Sequence, residues 1–272
     1  MSNKVALVTG ASSGIGKETA IELSQKGFTV YAAARRTDKM QELTAKGIHP
    51  VSLDVTNDES MIKCVNEILK KEGRIDVLVN NAGYGSYGAV EDVPMEEARR
   101  QIEVNVFGLA RMVQLVLPGM RKNKFGKIVN ISSMGGKIWT NFGSWYHATK
   151  FAVEGFSDCL RLEVAPFGID VIVVEPGGIK TDWGIIAAQN LKTASAKGAY
   201  AQAASKTAEG MIKNYTGNQL SKPELIARTI GKAVTARRPK TRYLVGFMAK
   251  PIVFMKNVFG DRAYDRIIKM FG

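Results

Sequence analysis

Cysteine and histidine are scarce in this 272-residue sequence, which contains two of each. Two cysteines, Cys64 and Cys159, cannot build a disulfide scaffold, and thiols alone cannot assemble a metal site. Both cysteines lie in segments with a helical pattern, which fits a reducing compartment. We therefore expect no metal ion and a cytoplasmic protein.

Long apolar runs are also lacking. The longest run without a charged side chain, residues 77–90, has 14 residues and includes two asparagines and three glycines, whereas a membrane span needs about 20 apolar residues. At the N-terminus, a run of four apolar residues leads directly into a glycine-rich turn. This run is too short for a signal-peptide core. With 45% hydrophobic and 23% charged residues, the composition excludes a disordered or collagen-like chain.

Acidic residues are few near the C-terminus. The net charge is +13, and residues 201–272 contain 14 of the 38 basic side chains but only four of the 25 acidic ones. A basic surface can attract nucleic acid, but no interleaved aromatic pattern or helix-turn-helix signal accompanies it, so we predict no nucleic-acid partner.

Short apolar runs alternate with longer helical patterns along the chain. Strands rich in Val, Ile and Leu are predicted at 4–9, 29–34, 50–53, 75–80, 127–132, 169–175 and near 243–245. Helices are predicted at 14–25, 39–46, 58–71, 96–122, 144–167 and near 222–234. Continuous apolar strands that alternate with helices are typical of a parallel sheet covered on both faces. We predict one α/β domain over residues 1–272, a Rossmann-type doubly wound parallel sheet.

Two segments depart from this alternation. Between about 181 and 221 the periodicity weakens into Ala, Gly, Ser, Lys and Asn, which indicates a mobile substrate segment. Residues from about 246 to 272 form a basic, partly apolar C-terminal extension. We expect this extension to pack over the substrate cleft or a neighbouring subunit, with peripheral membrane contact as the alternative.

A glycine-rich turn, Thr9-Gly10-Ala11-Ser12-Ser13-Gly14-Ile15-Gly16, follows the first predicted strand and opens the first helix. Backbone N–H groups and the helix dipole at such a position can hold a pyrophosphate. A tight strand–helix connection is the alternative, but the turn begins a βαβ unit, which favours nucleotide binding. The predicted cofactor contacts here are Gly10, Ser12, Ser13, Gly14, Ile15 and Gly16.

Further motifs follow in a fixed order: Asn80-Asn81-Ala82-Gly83 after the fourth strand, Val104-Asn105-Val106, Ser133, and Tyr146-x-x-x-Lys150. With these motifs the sequence resembles the short-chain dehydrogenase/reductase family over almost its whole length, to about residue 245. The resemblance implies a catalytic tetrad of Asn105, Ser133, Tyr146 and Lys150. It also implies that Lys150 binds the nicotinamide ribose and that Asn105 supports a water that links Lys150 to solvent. The cofactor contacts that it implies are Asp54, Val55, Asn81, Ala82, Gly83, Tyr146, Lys150, Pro176, Gly177 and Thr181.

The spacing of Tyr146 and Lys150 also suggests a mechanism. Residues four apart on a helix are neighbours on one face, and an ammonium beside a phenol should pull the pKa of Tyr146 below its free value of about 10. Tyr146 could then exchange a proton with an alcohol or carbonyl oxygen that Ser133 holds. Ser132 is a competing serine, but the family's usual spacing favours Ser133. We assign a surface or packing role to His147, because it lies beside Tyr146 rather than one turn away.

The residues at the end of the second predicted strand and just after it, Ala33-Ala34-Arg35-Arg36, indicate which cofactor is bound. An acidic residue at this point would bind the ribose 2′-OH of NAD and repel a 2′-phosphate. Arginines instead give charge-assisted contacts to a phosphate. We predict that Arg35 and Arg36 select NADP(H) over NAD(H); the alternative is a solvated arginine pair at the start of the next helix.

The substrate is less strongly indicated. Trp139, Phe142, Trp145, Trp183, Ile185 and Ile186 are predicted to form apolar walls, or else to lie in the core or a subunit interface. The motifs resemble most the 17β-hydroxysteroid and retinol dehydrogenase branch of the family. We expect an NADP(H)-dependent oxidoreductase, a homodimer or homotetramer, that interconverts a secondary alcohol and a lipophilic ketone. The alternatives are a 3-oxoacyl-carrier-protein type reductase and a non-catalytic NADP-sensing regulator.

Overall fold

The computed structural model describes residues 4–271. Seven strands and ten α-helices follow one another in that range. The strands are β1 Val5–Thr9, β2 Thr29–Ala34, β3 His49–Ser52, β4 Val77–Asn80, β5 Gly126–Ile131, β6 Ile169–Pro176 and β7 Arg242–Val245. The helices are α1 Gly14–Gln25, α2 Gln41–Thr44, α3 Asp58–Glu72, α4 Met95–Ile102, α5 Gly108–Lys122, α6 Ser144–Val164, α7 Trp183–Ala194, α8 Ala201–Thr216, α9 Pro223–Thr235 and α10 Ala249–Phe271.

The strands form one parallel sheet in the order β3-β2-β1-β4-β5-β6-β7. Alternate residues of each strand face opposite sides. In β1, Val5 and Leu7 pack with α3, α5 and α6, whereas Ala6 and Val8 pack with α1, α2 and α9. Both faces of the sheet are therefore covered, and the predicted Rossmann-type α/β fold is confirmed.

The strand order reverses beside β1, which pairs with β2 on one side and β4 on the other. The chain leaves β1 towards α1 and leaves β4 towards α4, so a crevice opens beyond the carboxyl ends of these two strands. Ligands of open α/β sheets bind in such a crevice. The fold thus brings the glycine-rich turn and the Asn80–Gly83 motif together.

One helical run, Met95–Lys122, is long and apolar enough to cross a membrane by length and composition. It consists of α4, a π-helical turn at Glu103–Phe107, and α5. One side of α5, including Met112, Val116 and Met120, is buried against the sheet. A core helix of an α/β domain can have the same length and apolar composition, and α5 lies in the core of this fold.

The segment that we expected to be mobile forms two helices, α7 and α8, which pack against each other. Their contact is made largely of alanines, including Ala187, Ala188 and Ala204, all fully buried. Alanine gives little contrast in hydropathy, which is why the helical period is weak in the sequence. Mobility of this segment stays a prediction.

The C-terminal extension forms α10, which is interrupted at Gly260. Gly260 has φ +73° and ψ 179°, a conformation that only glycine adopts readily. Beyond this kink the helix returns to the body of the protein, where Tyr264 is fully buried.

Candidate active site

A cavity of about 1360 Å³ opens at the carboxyl ends of β1, β4, β5 and β6. Most of the predicted site residues line it, and the structure brings together predicted residues up to 171 positions apart in the chain, from Gly10 to Thr181. The predicted residues in the lining are Gly10, Ser12, Ser13, Gly14, Ile15, Arg35, Arg36, Asn81, Ala82, Gly83, Ser133, Tyr146, Lys150, Pro176, Gly177 and Thr181. Four others lie outside the lining: Gly16, Asp54, Val55 and Asn105.

The glycine-rich turn has a backbone that a side chain would block. Gly10 has φ +66°, and a Cβ there would lie 2.8 Å from the Cα of Ala82. A Cβ at Gly16 would overlap the carbonyl of Gly10 and the amide of Asn81. Ser13 precedes α1 without capping it through its side chain, so the N–H groups of the first turn can face an anion. The turn therefore fits the pyrophosphate of a dinucleotide.

Asn81 and Thr9 join β4 to this turn. The side chain of Asn81 donates hydrogen bonds to the carbonyl oxygens of Thr9 at 3.0 Å and Gly10 at 3.2 Å. The hydroxyl of Thr9 accepts from the backbone N–H groups of Asn81 and Ala82, each at 3.0 Å. These bonds hold the turn in a fixed position before any ligand binds, which is a requirement for tight phosphate binding.

Two arginines stand at the nucleotide end of the cavity. Arg36 donates a hydrogen bond to the hydroxyl of Ser12 at 3.2 Å, whereas Arg35 is exposed and lines the cavity. The residue before them, Ala34, brings no negative charge. This end of the cavity thus offers two cations and a hydroxyl group.

The carboxylate of Asp54 is held by Thr56. Its Oδ1 accepts from the N–H of Thr56 at 3.0 Å and from the Thr56 hydroxyl at 2.7 Å. Burial acts to raise the pKa of Asp54, but these bonds and the positive charges of Arg35 and Arg100 together lower it. The carboxylate of Asp54 is therefore ionised and bonded within its own turn. The adenine contact implied for Asp54 and Val55 stays a prediction.

Tyr146 lies on α6 at the centre of the cavity, where only 7% of its surface is exposed. Its hydroxyl is near that of Ser133, which lines the same cavity, and the Oγ of Ser133 accepts from the N–H of Gly135 at 2.9 Å. The Tyr146 ring packs against Trp183, with ring centroids 4.9 Å apart. A hydroxyl pair therefore faces the cavity from a surface that is otherwise aromatic.

The expected effect of Lys150 on Tyr146 is wrong in this structure. Burial raises the pKa of Tyr146 well above its usual value, and the nearby hydroxyl of Ser133 lowers it by less. Burial also lowers the pKa of Lys150 to about 8, against the charge of Glu154, which raises it. The ammonium of Lys150 donates to the carbonyl of Ile131 at 2.9 Å and lies 5.9 Å from the centre of the Tyr146 ring.

The reason for this difference is desolvation. Burial penalises the charged form of each group, and it is the largest cause of both pKa shifts. Tyr146 consequently keeps its proton, which is the form that can donate a proton to a carbonyl oxygen.

Asn105 lies in the π-helical turn between α4 and α5 and is 2% exposed. Its amide oxygen accepts from the N–H of Tyr84 at 3.0 Å, and its amide nitrogen donates to the carbonyl of Tyr84 at 2.9 Å. The amide nitrogen also donates to the hydroxyl of Thr149, next to Lys150. Single π turns are frequent at functional sites, and this one places Asn105 behind the cavity wall.

His147 is buried, with 6% exposure, so a surface position for it is wrong and its role is one of packing. The N–H of Thr140 donates to its Nε2 at 3.0 Å, and its Nδ1 lies 2.8 Å from the carbonyl of Gly135. These bonds require a neutral ring protonated at Nδ1, and burial lowers the pKa of His147. His147 thereby fixes the loop between Ser133 and α6. The Ser132 hydroxyl is buried with no hydrogen-bond partner in residues 4–271.

The apolar wall differs in part from the predicted one. Trp183 and Ile186 line the cavity, but Trp139, Phe142, Trp145 and Ile185 do not. Trp139 instead packs on Tyr264 of α10, with ring centroids 5.3 Å apart, and donates to Asp265 at 2.9 Å. Several lining residues belong to no local motif and were not predicted: Tyr87, Ile138, Met211, Tyr215 and Ile268.

Comparisons with known proteins agree with this geometry. A protein-family model described as short chain dehydrogenase matches residues 4–192. The chain is 46% identical to 3-ketodihydrosphingosine reductase of Bacteroides thetaiotaomicron over 181 residues, 66% of each chain. It superposes on a short-chain dehydrogenase from Streptomyces avermitilis with a TM-score of 0.82 and 36% identity, covering 97% of this chain and 94% of that one.

A metagenomic short-chain oxidoreductase solved in complex with NADP is also similar. It has a TM-score of 0.71 and 26% identity, and the match covers 90% of this chain and 97% of that one. The chain described above therefore belongs to the short-chain dehydrogenase/reductase family, whose members are oxidoreductases that act on CH–OH groups.

Proposed function

We propose that this protein is an NADP(H)-dependent oxidoreductase that interconverts a lipophilic ketone and its secondary alcohol. The observation that carries the proposal is that the hydroxyl groups of Tyr146 and Ser133 line the same cavity as the glycine-rich turn and Trp183. A carbonyl carbon near this pair would be within reach of a nicotinamide seated beside Gly177 and Thr181.

The residues have distinct roles in this reaction. The bound nicotinamide supplies hydride in the reduction direction and accepts it in oxidation. Tyr146 donates its proton to the carbonyl oxygen, and the Ser133 hydroxyl holds that oxygen in place. Lys150 provides a positive charge behind Tyr146, which stabilises the tyrosinate that forms as the proton leaves.

The preference for NADP(H) is supported by Arg35 and Arg36 and by the absence of an acid at Ala34. The relative solved with NADP gives further support. A charge-assisted hydrogen bond contributes about 1.5–3 kcal/mol, so one such contact to a 2′-phosphate favours NADPH about ten- to a hundredfold.

The proposed substrate is a ketone with a long alkyl chain or fused rings. Tyr87, Trp183, Ile186, Met211 and Tyr215 give its part of the cavity an apolar lining. The similarity to a 3-ketodihydrosphingosine reductase points to the same class. A 3-oxoacyl-carrier-protein substrate is the second candidate, because the basic C-terminal quarter of the chain would attract an acidic carrier protein.

Initial rates of NADPH oxidation across a substrate panel would test this function. The panel would contain 3-ketodihydrosphingosine, a keto-steroid, a retinoid, an acyl thioester and a small soluble ketone, with Tyr146→Phe protein as the control. We expect the lipophilic ketones to give the highest kcat/KM. Turnover of the acyl thioester alone would favour the carrier-protein reductase. NADPH binding without turnover of any compound would favour a cofactor sensor.

We also propose that the C-terminal helix contacts anionic membranes. Phe254, Val258 and Phe259 expose 68%, 56% and 64% of their surfaces just before the Gly260 kink, and Lys250 and Arg262 are exposed beside them. Apolar side chains flanked by basic ones suit an anionic bilayer surface. Beyond the kink, Ile268 lines the cavity, so a lipophilic ketone could enter from the same side.

Sedimentation with anionic and neutral liposomes would test membrane contact. We expect the protein to pellet with anionic liposomes at low salt, less at high salt, and less for Phe254→Ser/Phe259→Ser protein. Protein that stays in the supernatant at low salt would contradict membrane contact.

A homodimer or homotetramer is also proposed, because Phe107, Phe151 and Leu162 are exposed by 58%, 45% and 69%. Sedimentation equilibrium would measure the assembly, and a monomer at micromolar concentration would contradict it.

A further inference from the structure

Two acidic residues are buried behind the lysine of the site. Glu154 follows Lys150 by one turn of α6, and Glu175 is the next-to-last residue of β6, beside Pro176 of the cavity wall. Their side chains are exposed by only 7% and 4%. Two carboxylates in such a place are costly unless cations or a proton compensate their charges.

Two cations reach the pair from the protein surface. The ammonium of Lys137 lies 3.0 Å from Glu154 Oε2 and 3.7 Å from Glu175 Oε1. The Nε of Arg242 lies 3.0 Å from Glu154 Oε2 and 3.4 Å from Glu175 Oε1. Arg242 also binds Asp158 at 2.6 Å, and Asp158 binds Arg161 at 3.1 Å. Both cations therefore converge on one oxygen, Oε2 of Glu154.

The other oxygens of the pair are less well satisfied. Oε1 of Glu154 and Oε1 of Glu175 are both buried, and neither has a donor within residues 4–271. The two carboxyl groups nevertheless lie close together, because both contact the same two cations, Lys137 and Arg242. Two ionised carboxylates are both acceptors and cannot bond, whereas one proton between them makes a strong bond and removes one buried charge. The raised pKa of Glu175, about 7, has the same cause, burial first and the charge of Glu154 second.

The pair also acts on Lys150. Lys150 is 9% exposed, and Glu154 is the carboxylate whose charge opposes the effect of burial on its pKa. The charged groups around the pair are thus Lys150, Asp158 and Arg161 on α6, Lys137 in the loop before α6, and Arg242 on β7.

We propose that Glu154 and Glu175 hold one proton between them and act as a positioning pair, whose remaining negative charge keeps the buried ammonium of Lys150 protonated. When the shared proton is lost at higher pH, the negative charge of the pair increases. That increase opposes loss of the proton from Lys150, so Lys150 stays charged over a wider pH range. Neither carboxyl group is required to touch substrate or cofactor.

The charge of Lys150 can be measured without turnover. In free protein labelled with 13C-lysine, the Cε chemical shift of Lys150 reports its titration. We expect Glu154→Gln to lower the pKa of Lys150 by about 1 unit and Glu175→Gln to lower it by less than half as much, because the second variant keeps Glu154, the carboxylate that acts on Lys150. Glu163→Gln, an exposed acid on the same helix, should leave it unchanged. An unchanged Lys150 titration in Glu154→Gln protein would overturn the proposal.

Infrared difference spectra of the free protein, between about pH 6 and about pH 9, would detect the shared proton. We expect the C=O band of a protonated carboxyl group at the lower pH, its loss in Glu154→Gln and Glu175→Gln, and its retention in Glu163→Gln. Absence of this band in the wild-type protein would also overturn the proposal.

Kinetics would show the consequence for the proposed function. With NADPH and the best ketone of the panel, the alkaline limb of kcat should move down by about 1 pH unit in Glu154→Gln protein. A purely structural effect would lower kcat at every pH without moving the limb. If no ketone is reduced, the proposed function fails, while the two measurements on free protein still decide on the carboxyl pair.

Discussion

The side-chain amide of Asn105 donates a hydrogen bond to the hydroxyl of Thr149 at 3.1 Å, and Thr149 is the residue immediately before Lys150. Thr149 in turn donates to the carbonyl of Tyr146 at 2.8 Å. The π-helical turn and α6 are therefore joined at a residue that stands between the tyrosine and lysine of the site. Thr149 is an unspecified position of the Tyr146-x-x-x-Lys150 motif, and the motif assigns it no role.

Replacement of Thr149 by valine should loosen this connection. Valine keeps the shape of threonine but leaves the buried amide of Asn105 without one acceptor, which costs about 1–3 kcal/mol. We expect a loss of unfolding free energy of that size and a lower kcat with little change in the Kd for NADPH. Urea unfolding and steady-state kinetics would measure both.

A matched control is Thr193→Val on α7. Thr193 is exposed and donates only to the carbonyl of Gln189 within its own helix, so its replacement should change stability by less than about 0.5 kcal/mol. Equal effects of the two substitutions would contradict a specific role for the Asn105–Thr149 bond.

Tyr146→Phe should abolish turnover. Phenylalanine keeps the ring that packs on Trp183 but has no proton to transfer, and a positioned acid contributes about 10²–10⁴-fold to rate. The Kd for NADPH, measured by fluorescence titration, should be nearly unchanged. Retention of more than about a tenth of the wild-type kcat would show that Tyr146 is not the proton donor.

Arg35→Ala should weaken the preference for NADPH. We expect kcat/KM for NADPH to fall about ten- to a hundredfold and kcat/KM for NADH to change little, because NADH has no 2′-phosphate. Lys39→Ala removes an exposed cation that is not in the cavity lining and serves as the control. Equal kcat/KM of the wild-type enzyme for the two cofactors would contradict this interpretation of the loop.

Stability should depend on pH through Lys150. Its pKa is about 8 in the folded protein and about 10.5 when exposed, so the folded state binds fewer protons between these values. The free energy of unfolding should therefore rise with pH in this window, by about 3 kcal/mol in total. The difference between wild-type and Lys150→Met protein, from urea unfolding at several pH values, isolates this contribution. A difference that is constant from about pH 8 to about pH 10 would argue against a depressed pKa.

The alternating strands and helices were predicted well, because a buried parallel sheet imposes an apolar run on each strand. Strand β2, Thr29–Ala34, and helix α1, Gly14–Gln25, have the predicted bounds. The motifs around Gly10 and Ser133 converge on one cavity because each follows the carboxyl end of a strand of the same parallel sheet, and α6 brings Tyr146 to the same cavity.

Other features depend on tertiary contacts that no local pattern records. At the π turn that contains Asn105, the backbone hydrogen bonds of the helix change from the α to the π pattern. The apolar pattern of the sequence does not record this change and predicts one continuous helix. Trp139 was predicted to line the substrate cavity or else to lie in the core or a subunit interface, and its contact with Tyr264, 125 residues later, places it outside the cavity lining. The pKa of Tyr146 could not be predicted from its spacing to Lys150, since burial of both groups decides it.

The aromatic wall gives this protein an optical reporter of its own. Of the three tryptophans in the chain, Trp183 lines the cavity, while Trp139 and Trp145 lie outside its lining. The Trp183 indole lies against both Tyr146 and Tyr87, with ring centroids 4.9 and 6.1 Å apart. Changes in intrinsic fluorescence when a ligand enters would thus arise mainly from one indole, at the point where the chemistry occurs.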